Sequence, residues 1–244
     1  MTLDVIGVLQ EGIERTVARN GLLFIGLLFA LGVLNTLVAI PLGGAPGTGP
    51  PAEGAPFVAA AVGLLASLAS VILFIAALRT FVSDETERIP RKYATRNLVW
   101  ALLNLVIGGI VFTIGVFLGL VALVVPGLFL LVSLFFWNVF VVVEDENFIE
   151  GFQRSWGLTK GNRLQLFGLG VLVFLIALAV ELVFGIPALI DPLVGAIFTQ
   201  AGSAITTVFI IATIAAAYNR LSTLETAGEP DMPTDAGTES TTRP

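Results

Sequence analysis

The chain contains no cysteine and no histidine in 244 residues. Without cysteine there is no disulfide framework, thiolate zinc site, iron–sulfur cluster or thiol nucleophile, and without histidine the commonest general base and metal ligand is missing as well. Most hydrolase and oxidoreductase chemistries fall with them. Charge is scarce: Asp, Glu, Lys and Arg make up 12% of the residues, against about 25% in a soluble domain. Lysine occurs only at positions 92 and 160. No phosphate-binding glycine loop, nucleophile elbow or metalloprotease helix motif is present.

What is present is apolar. Hydrophobic residues are 56% of the chain and the mean hydropathy is +0.97, which excludes a water-soluble fold. A bilayer core of about 30 Å takes about 20 apolar residues in a helix, because backbone polar groups there must be satisfied within the segment. Apolar blocks cover 21–42, 57–82, 97–143, 164–184 and 193–219. The third is 47 residues long, roughly 70 Å as one helix, so it must turn back, and Val125-Pro126-Gly127 is its one strong breaker. The expected fold is therefore all-α and polytopic, with six transmembrane helices near 21–42, 57–82, 97–122, 126–143, 164–184 and 193–219.

The basic residues set the expected orientation. Arg15 and Arg19 precede the first span, Arg79, Arg88, Arg91, Lys92 and Arg96 flank the second loop, Arg154, Lys160 and Arg163 precede the fifth span, and Arg220 follows the sixth. The opposite connections, 43–56, the Pro126 turn and 185–192, contain none. Lys and Arg are retained on the cytoplasmic side, so both termini are expected in the cytoplasm and the protein in the plasma membrane. Trp100, Trp137, Trp156, Tyr93 and Tyr218 fall near the same ends, as an interfacial aromatic belt does.

Residues 1–20 carry Asp4, Glu11 and Glu14 rather than a basic cluster, unlike a cleaved signal peptide. Ile6, Leu9, Ile13 and Val17 recur at helical spacing, which predicts an interfacial amphipathic helix. Residues 21–224 are expected to form the transmembrane domain, and the acidic 225–244 segment has too little apolar content to fold. The formal charge of −6, concentrated partly in that tail, gives no footprint for nucleic acid. An acidic, lysine-poor, cysteine-free composition is similar to that of salt-loving archaea.

The most distinctive stretch is EDENFIEGFQRSWGLTKGNR, residues 144–163. Phe148, Ile149, Phe152 and Trp156 share one helical face, with Glu150, Gln153 and Arg154 on the other. The pattern predicts a second interfacial helix over 145–160, with Asp145 as N-cap and Lys160-Gly161 as its stop. Arg154-Ser155 followed by Leu158-Thr159-Lys160-Gly161 resembles the membrane domain of bacterial glycerophosphoryl diester phosphodiesterases and related six-span families, including haloarchaeal ones. The resemblance implies a membrane domain without the catalytic phosphodiesterase domain, and no enzyme activity follows from it. A weak internal repeat pairs Glu11-Gly12-Ile13-Glu14-Arg15-Thr16 with Glu150-Gly151-Phe152-Gln153-Arg154-Ser155, each leading through an Asn (Asn20, Asn162) into a span.

The candidate sites are few. Glu181 is the one acid inside a span, and an intramembrane ionisable residue is a functional hypothesis by default. Asn35 with Thr36, and Thr199 with Gln200, reach similar depth, so Asn35, Glu181 and Gln200 are expected to form an outer polar cluster. Arg91, Lys92, Arg96, Arg154, Lys160 and Arg163 form a basic collar that meets anionic headgroups. Asp84, Glu85 and Glu87 with Glu144, Asp145 and Glu146 read as solvated loop and helix-start acids. Small-residue stripes at Gly108, Gly115 and Gly119, and at Ala59, Gly63 and Ser67, point to close helix packing with homo-oligomerisation as the alternative. Asn104 and Asn138 are expected to bond across two helices. No cofactor or metal is implied. The leading functional expectation is a non-catalytic membrane protein contacting lipid or a membrane partner. A small permease or channel near Glu181 is the alternative, and a membrane-embedded lipid enzyme the third.

Overall fold

Apolar segments that must close their own hydrogen bonds become helices, and the computed structural model, which describes residues 2–39, 55–83 and 96–228, contains no strand among them. The helices are α1 (Val5–Val17), α2 (Arg19–Ala39), α3 (Ala55–Val82), α4 (Leu98–Ala122), α5 (Val124–Ser133), α6 (Trp137–Val143), α7 (Phe148–Leu158), α8 (Arg163–Gly185) and α9 (Pro192–Gly228), with a 3₁₀ turn (Ile186–Leu189) joining α8 to α9. Six stretches are long and apolar enough to cross a membrane: Arg19–Val38, Phe57–Val82, Leu98–Ala122, Val124–Val143, Arg163–Leu189 and Pro192–Thr226. Arg88, Arg91, Lys92, Asp84, Glu85, Glu87, Tyr93, the 43–54 connection and the tail beyond 228 lie outside the described residues.

The long helix α9 is the axis of the molecule. α1, α2, α3 and α8 all pack on it, and its alanine run Ala212, Ala215, Ala216 and Ala217 is fully enclosed. Small side chains there let neighbouring backbones approach, which is how helices associate where lipid removes the hydrophobic drive. α9 gives the bundle two ends. One is the turn end, at residues 186–192. The other is the terminal end, where α1 begins and where Asn219 Nδ2 donates to the Val82 carbonyl at 3.1 Å.

The third and fourth apolar stretches depart from the expected straight crossings. The chain breaks at Leu123, an extended residue between α4 and α5, rather than at Pro126. Pro126 instead sits in the first turn of α5, where its missing N–H is not needed. A second break follows at residues 134–136, between α5 and α6. At one side of that break Ser133 meets Thr159, just before Asn162 and α8; at the other side of α6, Val142 and Asp145 meet Arg79 of α3. α6 then carries the chain on toward the terminal end: Trp137 at its start packs on Gly108 and Phe112 of α4, and Val142 and Asp145 beyond it reach Arg79 and Arg96. The sequence shows no sign of this second break, because Ser133-Leu134-Phe135-Phe136 contains neither Pro nor Gly.

The small-residue stripes divide. A side chain at Gly108 would come within 2.6 Å of Trp137 and 2.7 Å of Phe148, and one at Gly119 within 2.9 Å of the Gly127 backbone. Gly115 and Gly63 face open space. Asn104 and Asn138 do not bond to each other as expected. Asn104 accepts from the Phe148 N–H at 3.1 Å and so receives the start of α7, while the Asn138 amide oxygen is buried without a partner.

Candidate functional site

At the terminal end, three arginine clusters tie short helices to the bundle. α1 is capped by Asp4, whose side chain accepts from the Gly7 N–H. Gly12 lets it press on Thr213 of α9, where any side chain would collide at 2.4 Å. Glu11 then takes Arg15 at 2.7 Å and Arg220 of α9 at 3.0 Å, while buried Arg15 also donates to the Phe81 carbonyl at the end of α3. Packing thus uses Val8, Gly12 and Thr16, and the apolar residues Ile6, Ile13 and Val17 are left on the outside.

The second cluster centres on Arg79, 5% exposed. Its guanidinium donates to the Val142 and Arg96 carbonyls at 2.6 Å each and to Asp145 at 3.3 Å, and Arg96 grips the other oxygen of the same carboxylate. Asp145 (φ 59°) and Asn97 (φ 43°) both occupy the left-handed region, where a side chain is uncommon and tolerated best for Asn and Asp. The third cluster places Arg154 of α7 between Glu144 and Glu146, 2.6 Å from the latter, and over the Phe140 ring at 4.6 Å. Hydrogen bonding to Glu146 holds the Arg154 guanidinium above its ordinary range. Tyr218 of α9 donates its hydroxyl to Glu144.

α7 itself differs from the expected helix in its start. Asn147, not Asp145, is the N-cap, and it forms a reciprocal capping box with Glu150. Asp145 is instead spent on Arg79 and Arg96. At the other end Gly161 has φ +89°, the left-handed stop that its position predicts. The packed face of α7 is Gly151, Ser155 and Leu158, with Gly151 close under the Trp137 carbonyl, whereas Ile149 and Trp156 are exposed.

Ser155 and Thr159 have an unexpected task. The break at 134–136 leaves the Phe136 N–H and the Ser133 carbonyl outside the helical ladder. Ser155 accepts from Phe136 at 3.0 Å and donates to Ser133 at 3.1 Å, and Thr159 donates to the same carbonyl at 3.2 Å. Both residues are fully buried, so their hydroxyls replace the missing backbone partners where no water is available.

These pairings reduce the expected basic collar. Arg96 and Arg154 are engaged with carboxylates, and Arg91 and Lys92 lie outside the described residues. Lys160 is exposed, and neither it nor Arg163 has a carboxylate within ion-pair distance among the described residues. Trp137 and Tyr218 are buried in the packing, while Trp100 and Trp156 are about half exposed, so of the described members of the expected aromatic belt these two remain at the surface.

Toward the turn end, a cleft of about 400 Å³ opens between α2, α3 and α9. Asn35 and Gln200 both line it, as the sequence predicts for two of the three cluster residues. Gln200 donates to Thr36 at 3.2 Å. Glu181 is connected to the cleft rather than in it: it accepts at 3.1 Å from Ser203, which lines the wall. Ser70 and Thr207 also line it and were not singled out in the sequence, and Gly63 and Ser67 of the expected small-residue stripe join them. Ser67 and Ser70 bond back to their own helix carbonyls, as isolated serines in apolar helices do. The lining carries no charge.

No curated protein and no solved structure matches the chain. The family match spans the whole of what has just been described, from Leu3 at the head of α1, whose N–H bonds to Asn162, to Leu221 just past Arg220. Covering residues 3–221, it shows that the chain belongs to the family described as domain of unknown function DUF7847.

Proposed function

We propose that the chain is a non-catalytic integral membrane protein of the plasma membrane, with both termini cytoplasmic, which organises the inner headgroup layer or a membrane partner through α1 and α7. One observation carries this reading. Both short helices are fastened to the bundle by a glycine contact and an arginine pair, yet both leave apolar side chains exposed: Ile6 from α1, with Ile13 and Val17 beside a cleft shared with α8 and α9, and Ile149 and Trp156 from α7. A helix fixed to a bundle end with an apolar outer stripe is suited to lie in a membrane interface. The described Lys and Arg residues gather at this end, which supports placing it in the cytoplasm. The likeness of Arg154-Ser155 and Leu158-Thr159-Lys160-Gly161 to phosphodiesterase membrane domains fits a membrane role without catalysis, and the acidic, lysine-poor composition fits a salt-loving archaeal host.

Orientation is open to a direct test, since the wild type has no cysteine. Cysteines introduced at Thr48 and Glu53 should label with an impermeant thiol reagent in intact cells, whereas those at Ser83 and Thr238 should not. Labelling at Ser83 would reverse the proposed orientation.

The uncharged polar cleft favours a second reading, a permease for a small neutral solute. Reconstitution separates the two. Vesicles containing the protein should admit small polyols and amides no faster than empty vesicles, while fluorescent anionic lipid should gather around it more than zwitterionic lipid. Glu181→Gln should leave accumulation and lipid enrichment unchanged. Solute entry above the empty-vesicle rate, abolished by that substitution at normal protein level, would reject the organising role in favour of the permease.

A further inference from the structure

A second cleft, of about 440 Å³, runs between α5, α8 and α9, within the usual size of about 300–1,000 Å³ for ligand sites. Leu131, Leu166, Gly170, Phe174 and Ile210 are among its walls. Its one hydroxyl, on Thr213, is turned away into the Phe209 carbonyl at 2.8 Å, so the surface offered is hydrocarbon throughout. Leu131 and Phe174 are also exposed on the outside of the bundle. The cleft therefore opens sideways, toward lipid.

Arg163 stands at one end of this cleft, one helical turn before Leu166. Its guanidinium lies 4.6 Å from the Phe129 ring and 4.7 Å from the Trp156 ring. Aromatic rings stacked on a guanidinium fix its plane and leave the in-plane N–H groups directed outward. One of these reaches the Trp156 carbonyl at 3.3 Å. The Nε is buried without an acceptor. Lys160, exposed, is three residues away, and among the described residues neither cation has a carboxylate partner, whereas Arg15, Arg79, Arg96, Arg154 and Arg220 all do.

A held guanidinium, an exposed ammonium and a lateral hydrocarbon groove are complementary to one kind of molecule. An apolar helix of a partner would cover the groove but bring nothing to Arg163, and a second copy would bring the same unpaired cations toward each other. We propose that this groove binds one anionic phospholipid, with a hydrocarbon chain along α8 and the phosphate on Arg163 and Lys160. Charge-assisted bonds from a planar guanidinium to phosphate are among the stronger and more directional that a side chain makes. The assignment rests on the reading that the terminal end contacts the inner headgroup layer, and names the lipid class and the place.

Native mass spectrometry of the purified full chain, titrated with dioleoyl phosphatidylglycerol and dioleoyl phosphatidylcholine, tests it. Wild type should take up one tightly held phosphatidylglycerol, preferred over phosphatidylcholine. Arg163→Gln with Lys160→Gln should weaken phosphatidylglycerol about tenfold or more, the equivalent of one charged hydrogen bond, and leave phosphatidylcholine unchanged. Gly170→Leu should weaken both lipids, and it is a clean probe of the groove because a side chain at Gly170 meets open space. Unchanged phosphatidylglycerol binding in both variants, or a dimer that excludes lipid, would overturn the site. If anionic lipid still gathers around those variants in vesicles, the organising role stands and only this site falls; if wild type shows no anionic preference, both fall.

Discussion

Arg79→Ala should remove about 3–5 kcal/mol of stability, the usual result of taking away one member of a buried charged network. The side chain is almost wholly enclosed and, among the described residues, serves three acceptors: the Val142 carbonyl closing α6, the Arg96 carbonyl before α4, and Asp145. Its loss leaves two carbonyls without donors and shifts Asp145 onto Arg96 alone. It also releases two left-handed residues, Asn97 and Asp145, that flank this guanidinium. Backbone held in that region relaxes when its restraint goes, so the effect should exceed the sum of lost bonds. Thermal unfolding of the purified protein, followed by tryptophan fluorescence, measures it. Arg79→Lys keeps the charge but not the planar fork, and should fall between Ala and wild type. An Ala variant within about 1 kcal/mol of wild type would mean that the three segments are held by packing instead.

Arg79 illustrates what the sequence makes legible. Composition alone gives an all-helical chain with six apolar stretches, because hydrocarbon leaves the backbone no other solution, and the structure follows. The amphipathic character of α1 and α7 is also plain from spacing. Which face each turns inward is not: of the apolar stripe Ile6, Leu9, Ile13 and Val17 of α1, Leu9 packs on the core, but the other three are exposed and the bundle takes Val8, Gly12 and Thr16. In lipid an apolar stripe gains nothing by burial, whereas a small one permits close approach and hydrogen bonding. In α7 the stripe is divided too, Phe148 and Phe152 packing against Gly108 and Trp137 while Ile149 and Trp156 are exposed, and Gly12 and Gly151 mark the side turned to the bundle. The repeat of Glu11 to Thr16 and Glu150 to Ser155 has a counterpart in this geometry. Gly12 and Gly151 both sit close against a neighbouring helix with no room for a side chain, and Arg15 and Arg154 both pair with acids.

Charge pairing was less legible, since Asp145, Glu144 and Glu146 read as a solvated helix start. They are partners for arginines 10 to 74 residues away in sequence or for Tyr218, and nothing local announces a long-range partner. Asn35 and Gln200 could be placed together because polar residues at matching depth in apolar spans have few alternatives. Glu181 sits one residue removed, reaching the cleft through Ser203. The helix break at 134–136 left no trace of its own; its only signal lay 20 residues later, in the serine and threonine of the α7 motif.

That motif carries the second large effect. Ser155→Ala deletes the acceptor for the Phe136 N–H and one of two donors to the Ser133 carbonyl, and should cost about 1–3 kcal/mol, the range for a buried group left unmatched. Thr159→Val deletes the other donor. Alone it should cost less than about 1 kcal/mol, since Ser155 still serves the same carbonyl. Together the two leave the Ser133 carbonyl with no hydroxyl at all, in a place without water, so the double variant should lose more than the sum of the singles. A double-mutant cycle on thermal stability reads that surplus as the coupling energy, expected near the 0.5–3 kcal/mol found for residues sharing one network. Thr223→Val, on the exposed side of α9, should be silent. Strict additivity of Ser155→Ala and Thr159→Val would show that the break is held by the contact of Gly151 with α6. Superadditivity would instead give the motif a structural purpose: its hydroxyls close the bend between α5 and α6 and hold α7 against it.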